Sequence, residues 1–147
     1  MAQNTEHRRH IVKFSYDLAY YPGAPSIEIR LAAPESSWAI GPLHAFVDTG
    51  ADVSLIPAKY IESLGIPPDD RKFLRSQWGE RRKVDVYWLD IGIGDWRFPM
   101  TEIVADERGQ EIIVGRNLLN KLVLTLNGPE QLLEVSADAN LSSEASR

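Results

Sequence analysis

The residues best able to do chemistry are gathered in one stretch, His44 to Pro57, which reads His-Ala-Phe-Val-Asp-Thr-Gly-Ala-Asp-Val-Ser-Leu-Ile-Pro. An apolar run, Ala45 to Val47, leads directly into Asp48. A carboxylate in that position is costly unless it has a partner or a task. Gly50, two residues on, lets the backbone turn and be approached closely. Thr49 between them offers a hydroxyl that can tie the turn together. Asp, Thr and Gly are also common at plain strand-to-turn boundaries. The context raises the signal: Ala51 follows, and a second apolar run, Val53 to Ile56, begins at once. The chemistry such a carboxylate could perform is general acid–base catalysis.

Other candidates are weaker. His7 and His10 stand three apart but have no third ligand nearby, so a solvated basic terminus is the better reading than a metal site. His44 would need a serine nucleophile to form a hydrolytic triad, and no elbow motif is present. There is no cysteine, which removes disulfides and thiolate metal sites. Trp38, Trp88 and Trp96 read as core or interface aromatics. No metal and no cofactor are expected.

The elements that must position Asp48 are mostly strands. Ile27, Ile29 and Leu31 alternate with polar residues up to Pro34. Val84 to Ile93 is rich in β-branched and aromatic residues, with Leu89, Ile91 and Ile93 on one face. Gly94-Asp95 predicts a hairpin into Trp96–Ala105, and Asn127-Gly128 a second one between Leu122–Leu126 and Gln131–Val135. Pro57 predicts the first turn of a helix through Leu64, stopped by Gly65. A second short helix is expected over Arg116–Lys121. Many short strands with few helices imply an all-β sandwich or closed barrel. Residues 11–137 read as one domain, between a flexible segment 1–10 and a disordered, small and polar tail 138–147.

The chain has 147 residues and a net charge of −5, enough length for one self-sufficient core. No apolar run is long enough to span a membrane and no secretory signal opens the chain, so a cytoplasmic location is the default expectation. Arg71, Lys72, Arg75, Arg81, Arg82 and Lys83 face Glu80 alone in their segment, which leaves the rest more acidic than the total. A solvated loop is the plain reading of that cluster. Nucleic-acid binding is a poor third among the functional readings, given the acidic whole.

Phe46-Val47-Asp48-Thr49-Gly50-Ala51-Asp52 resembles the catalytic loop of retropepsins, the family of the retroviral proteases. Downstream, Glu111-Ile112-Ile113-Val114-Gly115-Arg116-Asn117-Leu118-Leu119 resembles that family's second signature. Leu124-Thr125-Leu126-Asn127 continues the likeness, which runs from roughly Ser26 to Val135. The resemblance implies a retropepsin-like closed barrel with one or two short helices. Its pepsin-like cousins carry two Asp-Thr/Ser-Gly motifs in one chain, whereas this chain has one. Two copies would therefore meet at a two-fold axis, each contributing Asp48. The paired carboxylates would share one proton. The ionised member would take a proton from water while the other donates to the scissile carbonyl oxygen.

By the same resemblance, Thr49 would brace the two loops across the dimer. Gly50 would let substrate backbone lie close and accept its N–H, Ala51 would be among the substrate-binding residues, and Asp52 would contact substrate main chain. Arg116 would form a buried pair with Asp52, and Asn117 would be structural. Gln77-Trp78-Gly79 would form the tip of a flap between about Arg71 and Asp85, poorer in glycine than retroviral flaps. The basic residues around that tip imply an acidic substrate. The expected activity is homodimeric aspartic endopeptidase, acting on polypeptide and not on nucleic acid or membrane. The alternative is a catalytically silent relative that keeps the fold as a dimeric peptide-binding module.

Overall fold

The computed structural model describes residues 10–75 and 81–138, with backbone alone for 70–75 and 81–83. Ten strands and two short helices follow one another as β1 (Val12–Ser15), β2 (Ser26–Ala32), β3 (Ile40–Val47), β4 (Ser54–Pro57), α1 (Ala58–Glu62), β5 (Asp70–Arg75), β6 (Arg81–Ile93), β7 (Trp96–Asp106), β8 (Ile112–Val114), α2 (Arg116–Leu119), β9 (Leu122–Asn127) and β10 (Leu132–Ala137).

The larger sheet runs β2-β3-β8-β4-β7-β6-β5, and β6 also pairs with β2. That last pairing, Arg30↔Gly92 to Ala32↔Asp90, closes six of the strands into a barrel. Closure removes the sheet edges that would otherwise be left unpaired. The alternation in β2 turns Ile27, Ile29 and Leu31 inward, each no more than 1% exposed. Leu89, Ile91 and Ile93 do the same from β6, and Ala45, Val47, Ile56, Ile103, Ile112 and Val114 complete the core. β5 extends beyond the barrel as one arm of a hairpin with β6, in register from Asp70↔Val86 to Arg75↔Arg81. The expected all-β closed barrel with two short helices is thus the observed architecture.

Local signals mostly place their elements, with differences at the edges. Gly94-Asp95 forms the tight turn between Ile93 and Trp96, which are paired, and Gly94 takes the left-handed φ of +56° that glycine tolerates. The second hairpin opens later than Asn127-Gly128 implies: Asn127 still pairs with Leu132, and Gln131, not Gly128, carries positive φ. The Asn127 side chain accepts from Glu130 N–H at 3.1 Å, which stabilises this longer loop in place of a two-residue turn. Pro57 sits at the N-cap of α1 and not inside it, and the helix ends at Glu62, before Leu64. β1 is an element that the sequence reading left unassigned. It pairs with β10, and β9 on the far side of β10 completes a separate three-stranded sheet.

One buried ion pair stiffens the β6–β7 end of the barrel. Asp90, 1% exposed, sits where the β6–β7 register shifts between Leu89 and Ile91. One carboxylate oxygen accepts Met100 N–H at 2.9 Å. The other accepts Glu35 N–H at 3.0 Å and Arg97 Nε at 2.8 Å. Arg97 also lies 4.3 Å from the ring centre of Trp38. Burial pushes the Asp90 carboxyl pKa up, but the Met100 and Glu35 N–H groups and the Arg97 guanidinium outweigh it and hold it below the usual carboxylate range. A folded-state pKa below the unfolded value contributes stability that is present above about pH 4 and lost as pH falls through the lowered value. Asp90→Asn is therefore expected to cost about 3 kcal/mol, because the Arg97 guanidinium, with its side chain 12% exposed, loses the carboxylate it pairs with at 2.8 Å. Urea unfolding measured from pH 2 to 7 should show this loss and the disappearance of that part of the acid transition.

Candidate active site

Asp48 stands at the point where three strands converge. β3 pairs in parallel with β8 over Ala45↔Ile112 to Val47↔Val114. β4 pairs antiparallel with the same β8 at Leu55↔Ile113. β8 therefore lies between β3 and β4, and residues 48–53 must cross over its end. Asp48 N–H donates to Val114 O at 3.1 Å, which carries the β3–β8 ladder up to the catalytic candidate. Ala51 N–H donates back to Asp48 O at 3.2 Å, closing a four-residue turn. Gly50 N–H donates to Asp48 Oδ1 at 2.8 Å, an Asx-type bond that orients the carboxylate. Asp48 is half-buried, while Thr49, Gly50 and Asp52 are exposed.

The chain after β8 is clamped beneath this turn. Arg116 N–H donates to Ala51 O at 2.8 Å. A Cβ on Gly115 would lie 2.3 Å from Val53 O and 2.9 Å from Ala51 O, so no side chain fits there. Ser54, 1% exposed, links the same pieces: its Oγ accepts Gly115 N–H at 3.0 Å and donates to Asn117 Oδ1 at 2.9 Å. Asn117 Nδ2 donates to Glu102 O on β7 at 2.7 Å. The two motifs, far apart in sequence, thus form one hydrogen-bonded unit. A carboxylate on a braced, open loop can exchange protons with a bound water and a substrate carbonyl.

The expected pair between Arg116 and Asp52 is not formed among the described residues, and Arg116 is exposed rather than buried. Its Nη1 donates instead to Thr49 O at 2.8 Å. The bond from Arg116 N–H to Ala51 O sets this side chain beside the Asp48–Ala51 turn. Arg116 therefore steadies the loop through a backbone carbonyl. Ala51 is half-buried next to the clamp. Gln77, Trp78 and Gly79 lie outside the described residues, on the connection between β5 and β6. Ser54 was missed by sequence reasoning. Its only signal was a small polar residue inside the apolar run Val53–Ile56. Among the described residues, no three His, Cys, Asp or Glu side chains are grouped to hold a metal ion. No helix among them is long and apolar enough to cross a membrane.

Comparison with known proteins bears on the same region. A family model described as "gag-polyprotein putative aspartyl protease" matches residues 40–121, a span that contains both motifs. Among solved structures, the fold is similar to the crystal structure of a retropepsin-like aspartic protease from Rickettsia conorii, with a TM-score of 0.63 and 16% identity. That match covers 87% of this chain and 91% of the other. No curated protein sequence matches the chain.

Proposed function

Since this chain belongs to the gag-polyprotein aspartyl protease family, we propose that it is the subunit of a homodimeric aspartic endopeptidase in which Asp48 of each copy forms the catalytic dyad. The observation that carries this reading is the Asp48 loop, with its carboxylate oriented by Gly50 N–H and its backbone clamped by Gly115 and Arg116. Preorganisation of this kind keeps a catalytic group in place without reorganisation during reaction. A chain with one such loop needs a second copy to supply the second carboxylate. Side by side, the two carboxylates hold one proton between them. The ionised one accepts a proton from water as it attacks the peptide carbonyl, and the protonated one donates to the carbonyl oxygen. Thr49 and Gly50, exposed in the single chain, would then lie at the two-fold axis and against substrate.

The three-stranded sheet supports a specific way of joining the copies. β9 is its edge, unpaired on one side among the described residues. Leu122-Val123-Leu124-Thr125-Leu126-Asn127 carries no charge, and Val123 and Leu126 are 47% and 55% exposed. Edges without charge, proline or cover tend to pair with another strand. Two β9 strands related by a two-fold axis would make a continuous six-stranded sheet.

The test combines cleavage, stoichiometry and this edge. The purified protein should cut a denatured protein substrate. A tight-binding statine-type mimic of the tetrahedral intermediate should stop it at one inhibitor per two chains. Val123→Lys combined with Leu126→Lys should shift sedimentation to the monomer and remove cleavage together. Titration at one inhibitor per chain, or full cleavage by a monomeric double variant, would refute the shared site.

A further inference from the structure

Residues 44, 46 and 48 alternate with Ala45 and Val47, which point into the core. His44 and Phe46 therefore share the face of β3 from which Asp48 projects. On that face lies a cavity of about 320 Å³, with Asp17, Tyr20, His44, Phe46, Tyr60 and Glu111 among its walls. Phe46 is about 7 Å along the strand from Asp48, the distance that two strand residues span. Residues 48–53 do not line this cavity, which begins one strand step back from Asp48, at Phe46. A substrate running back from Asp48 along β3 would carry a side chain flanking the scissile bond toward it.

The lining is suited to a cation. Glu111, the residue before β8, accepts a hydrogen bond from the Tyr20 hydroxyl through Oε1. That bond to a carboxylate, with burial second, pushes the tyrosine pKa up to about 12, so the phenol remains a donor. Asp17 uses Oδ1 for Ala19 N–H at 2.9 Å. No lysine or arginine among the described residues pairs with Glu111 or Asp17. Tyr20 and Phe46 lie with ring centres 5.9 Å apart. Tyr60 adds a third aromatic wall, but Lys59 Nζ already lies 4.9 Å from its ring centre, so the Tyr20 and Phe46 rings are the ones left for an incoming cation. Carboxylates with aromatic faces hold an ammonium or guanidinium group by charge and by cation–π attraction. The cavity is large enough for one long side chain.

We propose that this cavity is the specificity pocket beside the catalytic carboxylate, and that it takes the lysine or arginine side chain of the substrate residue adjoining the scissile bond, with Glu111 as the principal counter-charge. This rests on the protease reading above. It opposes the acidic substrate implied by the basic residues around Gln77-Trp78-Gly79, since Asp17 and Glu111 give this pocket the opposite sign.

The test uses full-length chain and two matched decapeptides that differ only in lysine or methionine at the residue before the cleaved bond, with a second pair varied at the residue after it. The lysine peptide of one pair should be cut with kcat/KM at least ten-fold above its methionine twin. Glu111→Gln should reduce that ratio roughly ten-fold, toward no preference, and Glu111→Arg should favour a glutamate peptide instead. Inhibitor titration confirms that each variant still assembles its site. Binding of the same peptides to Asp48→Asn protein, by calorimetry, provides a readout independent of catalysis. Cleavage with no preference for lysine in either pair would overturn the pocket and leave the protease reading standing. Lysine-selective, Glu111-dependent binding without cleavage by the parent would support the pocket and overturn the protease reading. Neither cleavage nor selective binding would overturn both.

Discussion

Asp48→Asn is expected to reduce peptide-bond cleavage by roughly 10³-fold or more, about 4 kcal/mol of transition-state stabilisation, with the fold and the dimer intact. Asparagine has nearly the same shape and keeps an oxygen for the Gly50 N–H bond of 2.8 Å, so the loop has no reason to move. What it lacks is the ability to take up and release a proton. In the proposed homodimer one substitution removes both carboxylates, leaving no partner to act as base. Mass spectrometry of a digested test protein measures the loss, and thermal melting with sedimentation checks the structure. Mixing sharpens the test. With equal amounts of parent and variant chains exchanging freely, only about a quarter of dimers keep both carboxylates, so activity should fall to about a quarter rather than a half. Cleavage by the variant equal to the parent's would show that Asp48 is not the catalyst. A parent that cuts nothing yet sediments as a dimer would favour the peptide-binding module.

Gly115→Ala is expected to have the largest structural effect of a methyl group added at any described glycine, because the contacts are with backbone. The new Cβ would lie 2.3 Å from Val53 O and 2.7 Å from Val53 C, both backbone atoms that cannot swing aside as a side chain can. Relief requires β4 and the chain after β8 to separate. That separation strains Arg116 N–H to Ala51 O, at 2.8 Å, and Gly115 N–H to Ser54 Oγ, at 3.0 Å. Overpacking against backbone costs about 3 kcal/mol, equivalent to a fall in Tm of roughly 10 °C for a domain of this size. Activity should fall further than stability, because the displaced residues are those that hold the Asp48 loop. Differential scanning calorimetry with inhibitor titration separates the two effects. A melting temperature unchanged from the parent would show that the loop and the clamp beneath it do not pack as described.

Much of this site was legible in the sequence because its requirements are local. Asp48-Thr49-Gly50 declares a carboxylate on a tight turn, since only a few residue types can make that turn after a buried strand. Gly115 and the short helix after it could be read in the same way. The two-residue periods of Ile27–Leu31 and Leu89–Ile93 revealed which faces are buried, because a strand's side chains alternate whatever its neighbours are. The turn at Gly94-Asp95 follows from glycine's freedom at positive φ.

Only the tertiary structure decided what meets what. A period identifies a face but not the strand beside it, so the β2–β6 pairing that closes the barrel, and the passage of β8 between β3 and β4, have no local signature. Arg116 turned from Asp52 to Thr49 O because its own backbone is fixed to Ala51, a contact between residues 65 positions apart in the chain. Ser54, Asp90 and Glu111 look ordinary in sequence. Each takes its bonding partners from distant segments: Gly115 and Asn117 for the first, Glu35 and Arg97 for the second, Tyr20 for the third. Backbone turns are determined by the residues within them, whereas hydrogen-bonded clusters and cavities are determined by whichever strands close the barrel around them.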